Sequence, residues 1–180
     1  FLNFCLWKGA TVITVPRFDL EQYLGLVQSH KVTYLHIVPP VALAMAKHPI
    51  VDKYDLSSAR LALSAAAPLS ETVAQAFMGR LGIPLFQAYG MTEVSGATHL
   101  GATTPDKLKP HSAGRVLPNT ECKVVDLPTG NLMGPGEQGE IWVRGPLIMR
   151  GYLGRPDATR ATIDEEGWLR TGDIGYADED

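Results

Sequence analysis

A chain of 180 residues, 45% hydrophobic and 19% charged, is long enough to bury a real core and too apolar to be disordered, which makes it one or two domains. Its net charge of −3 at pH 7 argues against a nucleic-acid-binding surface or an affinity for anionic membranes. Its two cysteines, Cys5 and Cys122, fit neither a disulfide scaffold nor zinc spacing, so a reducing compartment is expected, and no apolar run approaches the roughly 18 residues of a membrane helix.

The chain opens on an apolar run (Phe1, Leu2, Phe4, Leu6, Trp7) that no basic residue precedes. A signal peptide is therefore not expected, and the reading is an internal piece of a larger protein. Residues 11–15 (TVITV), β-branched and closed by Pro16, read as a strand. Asp19 reads as a helix N-cap with Gln22 three positions on, and Leu20, Tyr23, Leu24 and Val27 line one helical face. Residues 32–38 (VTYLHIV) form a second expected strand, stopped by Pro39 and Pro40, with a short helix from there to Lys47. A third strand, residues 60–64 (RLALS), precedes a helix capped by Ser70 with Val73, Ala74, Phe77, Met78 and Leu81 on its apolar face. The fourth strand is residues 84–89 (PLFQAY).

Strands separated by helices imply a mainly parallel α/β sheet, whose ligands lie beyond the carboxyl ends of its strands. Three loops occupy that position here: Val38-Pro39-Pro40, Ser64-Ala65-Ala66-Ala67-Pro68 and Tyr89-Gly90-Met91-Thr92-Glu93. From about residue 109 the pattern changes. Residues 121–126 and 140–144 are strand-like and linked through Gly/Pro turns, residues 157–163 suit two helical turns, and residues 168–171 form another short strand. The expectation is therefore an α/β part, 1–108, followed by a β-rich, distorted-barrel subdomain, 109–180, which carries the acidic excess.

Three segments could carry chemistry. In Gln87-Ala88-Tyr89-Gly90-Met91-Thr92-Glu93, Gly90 permits close backbone approach and Tyr89 offers a flat face for a base. The Thr92 hydroxyl could bond a phosphate, and the Glu93 carboxylate could hold a hard cation such as Mg²⁺. The same residues also suit a plain helix start with Thr92 as cap. The small residues 64–68 leave room for a planar ligand or, equally, for close helix–sheet packing. Asp173, after Gly172, could accept both hydroxyls of a ribose or close an Asx turn. The five histidines show no metal spacing; His36 reads as a core or near-core residue, and His99 is near enough to Glu93 to line a cleft. No serine-hydrolase elbow or GxxxxGK[ST] motif is present.

These residues lie in stretches that resemble the adenylate-forming acyl-CoA synthetases, most of all the branch of 4-coumarate–CoA ligases and beetle luciferases. The matching stretches are Val51-Asp52-Lys53-Tyr54-Asp55-Leu56-Ser57, residues 64–69 (SAAAPL), Tyr89-Gly90-Met91-Thr92-Glu93, Ser112-Ala113-Gly114-Arg115-Val116, residues 139–146 (GEIWVRGP), Gly151-Tyr152-Leu153 and residues 167–174 (GWLRTGDI), in the family's order and spacing. The resemblance implies that ATP and a carboxylic acid form an acyl-adenylate and that coenzyme A then takes the acyl group. It implies phosphate contact at Thr92 and Mg²⁺ at Glu93, the two catalytic positions. It implies nucleotide contacts at Ala65, Ala66, Ala67, Gln87, Ala88, Tyr89, Gly90, Met91, Thr92 and Asp173. An acyl pocket lined by Val38, Pro39, Ala65, Ala88, Gly90, Gly96 and Ala97 is implied as well.

Departures from the family pattern are Ala65 and Ala88, where relatives carry Gly, and Arg170, which often is His. The family's phosphate loop would lie before Phe1 and its hinge Arg and C-terminal Lys after Asp180, so this chain alone is expected to be inactive and, with uncovered sheet edges, prone to self-association. The expected location is cytoplasmic, with a peroxisomal one left open, and neither a nucleic-acid partner nor a membrane span is expected. The alternatives at this stage are a carrier-protein-loading adenylation domain, a luciferase-like oxygenase and a non-catalytic nucleotide-binding module.

Overall fold

The computed structural model describes residues 2–104 and 107–179, and the side chains from residue 5 onward. Contacts divide the chain into two units, Phe1–Tyr89 with Leu100–Arg115, and Gly90–His99 with Val116–Asp180. The chain therefore leaves the first unit at Gly90, returns to it at Leu100 and leaves again at Val116.

The first unit is built from α1 (Leu2–Lys8), α2 (Leu20–His30), β1 (Tyr34–Ile37), α3 (Pro39–Lys47), β2 (Leu61–Ser64), α4 (Glu71–Leu81) and β3 (Leu85–Tyr89). Local chemistry sets its helix ends. Asp19 Oδ1 accepts from the Gln22 amide at 2.8 Å, Pro39 and Pro40 occupy the first turn of α3, and Ser70 Oγ accepts from the Val73 amide at 3.4 Å. Gly82, at φ +66°, ends α4 with its amide on the Met78 carbonyl.

The expected strand at residues 11–15 does not form. Its β-branched side chains favour extended backbone, but a strand is completed by a hydrogen-bonding neighbour, and no described strand pairs with this run.

Strands β1, β2 and β3 are parallel neighbours, and α3 and α4, the two crossover helices, pack against each other. Leu100 of β4 (His99–Leu100) and Arg115 of β5 (Arg115–Val116) bring the sheet order to β1-β2-β3-β4-β5. One core joins Leu24 and Val27 of α2, Leu35 and Ile37 of β1, Val41, Ala42 and Met45 of α3, and Ala74 and Phe77 of α4. Burial alternates along β1, which leaves His36 on the exposed side rather than in or near the core, the place its strand setting suggests.

The second unit is an antiparallel sheet of β6 (Glu121–Val125), β7 (Gly139–Arg144) and β8 (Leu169–Gly175), with α5 (Pro156–Thr162) before its last strand. Val94, Val143 and Leu169 form its buried centre. Lys123 places its ammonium 4.8 Å from the Trp142 ring and 4.2 Å from the Trp168 ring, and Arg144 and Arg170 lie over the same two indoles. Gly139 and Glu140 pair with Gly175 and Ile174, whereas Trp142 and Val143 pair with Arg170 and Leu169. Ile141 alone thus faces Thr171, Gly172 and Asp173, and β8 bulges at those residues.

Candidate functional site

Each unit holds one group of the residues singled out from sequence. In the first unit the parallel register aligns Ile37 with Ser64 and Ser64 with Gln87, so the three loops leave one sheet edge side by side. They carry Val38 and Pro39 after β1, Ala65, Ala66 and Ala67 after β2, and Ala88 and Tyr89 at the end of β3. Val38, Ala66 and Ala67 are exposed, while Pro39, Ala65, Ala88 and Tyr89 are half-buried. Ala66 adopts φ +74°, a left-handed conformation that costs a non-glycine residue about 1–2 kcal/mol and is concentrated at ligand-binding loops. Ser64, wholly buried, finds no hydrogen-bond partner for its hydroxyl among the described residues.

Gln87 is buried, and its amide is engaged. Oε1 accepts from the Leu69 amide at 3.0 Å, while Nε2 donates to the Leu69 carbonyl at 3.2 Å and the Pro110 carbonyl at 2.6 Å. The side chain brackets the backbone beyond the Ala65–Ala67 loop to the segment around residue 110.

In the second unit, Gly90, Met91, Thr92, Glu93, Gly96 and Ala97 form one tight loop. A Cβ at Gly90 would stand 1.9 Å from the Gly96 carbonyl oxygen, so only glycine lets the two arms approach. Thr92–Val94 is a single 3-10 turn whose N-cap is Met91 without a side-chain bond, so Thr92 does not cap it, and its hydroxyl is on an exposed residue. Ser95 closes the turn at φ +54°. Glu93 is tied twice to one segment: its carbonyl accepts from the Met149 amide at 2.7 Å, and its Oε1 accepts from the Tyr152 phenol at 2.8 Å. Among the described residues nothing bonds Oε2. The bond to this carboxylate, then partial burial, raises the Tyr152 phenol above its ordinary pKa. His99 is buried with Nδ1 3.0 Å from the Thr98 hydroxyl, and burial lowers its pKa.

Asp173 lies in the β8 bulge. Its amide donates to Thr171 Oγ1 at 3.1 Å, the Thr171 hydroxyl donates to the Ile141 carbonyl at 2.6 Å, and Gly172 takes φ +77°. Glu140, 6% exposed, holds the turn from behind: Oε1 accepts from the Gly172 amide at 2.8 Å and Oε2 from the Trp142 indole at 2.6 Å. The Asp173 turn is thus anchored near the start of β7 and Glu93 on the segment beyond its end.

Sequence reasoning did not single out Glu140, Thr171 or Tyr152. A glutamate between Gly139 and the apolar strand residues was the available signal for the first. The Gly151-Tyr152 pair was noted only as part of a matching stretch.

The donors at Glu93 suit a hard cation: one carboxylate oxygen without a bond, next to a hydroxyl, with no sulfur or imidazole. No group of three or more His, Cys, Asp or Glu residues able to hold a metal occurs among the described residues. A cation here would therefore complete its shell with phosphate and water, which is the habit of Mg²⁺.

The sequence profile described as "AMP-binding enzyme" matches residues 1–153, and the chain belongs to that family. It is 48% identical to 4-coumarate–CoA ligase 2 of Oryza sativa subsp. japonica over 96% of its own length and 31% of that protein. It superposes on ATP-bound MatB from Rhodopseudomonas palustris with a TM-score of 0.89 at 29% identity, over 98% of this chain and 34% of that one. The anthranilate CoA ligase AuaEII, solved in complex with anthranoyl-AMP, gives a TM-score of 0.89 at 26% identity over 99% and 34% of the two chains. The α/β sheet with a separate antiparallel β unit is the architecture of these neighbours. The chain spans about a third of the length of the proteins it matches. No helix among the described residues is long and apolar enough to cross a membrane.

Proposed function

We propose that this chain forms part of an ATP-dependent acid–thiol ligase that activates a carboxylic acid as its acyl-adenylate and passes the acyl group to coenzyme A. The observation that carries the reading is Glu93: a carboxylate pinned by one oxygen and unbonded on the other among the described residues, next to Thr92 in a loop entered directly from a parallel strand. Family membership and the likeness to a protein solved with an acyl-adenylate support it. The acid we propose is an aromatic propenoic acid of the 4-coumarate type, on the strength of 48% identity to a 4-coumarate–CoA ligase.

The chemical obstacle is an anionic carboxylate attacking an anionic α-phosphate. The Thr92 hydroxyl would donate to a phosphate oxygen, and Glu93 would hold Mg²⁺. When bound, the cation offsets negative charge on the phosphates. We assign Tyr89, Ala66 and Ala67 to adenine, Met91 to a further nucleotide contact and Asp173 to the ribose hydroxyls. Gln87 acts from behind the wall, by bracing the backbone at residues 69 and 110. We assign acyl contact to Val38, Pro39, Ala65, Ala88, Gly90, Gly96 and Ala97, and the methyl groups of Ala65 and Ala88 leave less room than glycine would.

The test is pyrophosphate release by the protein as its gene encodes it, with ATP, Mg²⁺ and a panel of carboxylic acids that includes 4-coumarate. Acid-dependent release is expected, and Glu93→Gln should lower it by about a hundredfold or more. Release that Glu93→Gln leaves unchanged removes Glu93 from the reaction; no release with any acid refutes the ligase reading.

A further inference from the structure

The Glu93 carboxylate is not positioned by its own loop. Among the described residues its one side-chain bond comes from Tyr152, 59 residues away in sequence, and its carbonyl is held by Met149 of the same segment. That segment is itself held by α5. The Tyr152 amide donates to Thr159 Oγ1 at 2.9 Å, and the Thr159 hydroxyl donates back to the Arg155 carbonyl at 3.0 Å. Gly151 makes room for this arrangement: at φ +143°, a Cβ there would lie 2.6 Å from Thr159 Cγ2 and 2.7 Å from its Oγ1. The result is a relay from Thr159 to the Tyr152 backbone and from the Tyr152 phenol to Glu93 Oε1, leaving Oε2 unbonded among the described residues.

A lone glutamate on a surface loop has three soft torsions and samples many orientations, so binding a cation through it requires freezing them. A donor already fixed on one oxygen removes most of that freedom beforehand, much as outer hydrogen bonds orient the ligands of known metal sites. We propose that Tyr152 is a positioning residue for Glu93: with its backbone amide held by Thr159 of α5, its phenol fixes Oε1 so that Oε2 faces the cation bound with the nucleotide. The inference rests on the reading of Glu93 as a metal-holding residue. It adds that α5 and the Gly151-Tyr152 turn belong to the cation site although neither touches the metal.

The experiment uses the protein as encoded, Mn²⁺ as the paramagnetic probe and α,β-methylene-ATP as a non-reacting nucleotide, with water-proton relaxation reporting metal affinity and a melting curve run on each variant. Tyr152→Phe, which keeps the ring, should weaken Mn²⁺ binding about three- to tenfold, a range set by a charge-assisted bond in a partly solvated place. It should leave metal-free nucleotide binding unaltered. Thr159→Val should weaken Mn²⁺ similarly and Thr159→Ser should not, which decides the matter even where Tyr152→Phe fails to fold. Unchanged Mn²⁺ affinity in Tyr152→Phe, or equal behaviour of Thr159→Val and Thr159→Ser, overturns the proposal while Glu93 keeps its role. Unchanged Mn²⁺ affinity in Glu93→Gln overturns the reading of Glu93 itself.

Discussion

Glu140 offers the sharpest test of how the Asp173 turn is held. The carboxylate is 6% exposed and is met by two donors, the Trp142 indole at 2.6 Å and the Gly172 amide at 2.8 Å. No ion pair among the described residues involves it. Glu140→Gln keeps the side-chain shape but leaves one acceptor oxygen and turns an N–H toward the other donor. A hydrogen bond to a charged group contributes about 1.5–3 kcal/mol, so losing one while leaving a buried donor unmet should cost about 2–3 kcal/mol. Trp142→Phe removes the indole donor and leaves Oε2 unmet, costing about 1–2 kcal/mol beyond the change in packing. The double variant removes both partners of one bond, so the two effects should fall short of additive by about 1 kcal/mol or more. Urea unfolding of the four proteins at pH 7, followed by tryptophan fluorescence, measures this, since Trp142 and Trp168 both lie in the second unit. Additivity within about 0.3–0.5 kcal/mol would show that Glu140 and the indole do not cooperate, and the account of the bulge would be wrong.

Two further outcomes follow from the site geometry. Gly90→Ala puts a Cβ 1.9 Å from the Gly96 carbonyl oxygen, a backbone atom that cannot swing aside, so the loop must open. Calorimetry should register about 2–3 kcal/mol of lost stability, together with lost nucleotide binding, and a variant that binds normally refutes the close approach. Burial lowers the pKa of His99, so the unfolded chain takes up the proton there more readily than the folded one. The stability arising from neutral His99 is therefore complete above its unfolded pKa of about 6.5 and is lost as pH falls toward the lower folded value. Chemical denaturation between pH 7.5 and pH 5 should show stability decreasing with pH, and His99→Gln should flatten that slope; an unaltered slope removes His99 from the effect.

How far the sequence could be read depends on how far apart the interacting groups lie along it. The caps at Asp19 and Ser70 join residues three positions apart, so their chemistry is visible in any short window, and both form as expected. The apolar faces of α2 and α4 were legible for the same reason: helical spacing places Leu24 with Val27, and Ala74 with Phe77, whatever lies opposite. Residues 11–15 had the right side chains for a strand but no neighbour to pair with among the described residues, and pairing is a property of the whole sheet. The motif at residues 89–93 was recognisable, yet its division between two units at Gly90 follows from contacts that no local pattern carries. The bracing residues were hidden for the same cause. Gln87 reaches Leu69 and Pro110, Glu140 reaches Gly172 across 32 residues, and Tyr152 reaches Glu93 across 59. Residue types and short spacings thus announced which chemistry was available. Which carboxylate is held, by which donor and with which oxygen left bare was decided by strand register and loop packing, because those bonds exist only once distant segments have met.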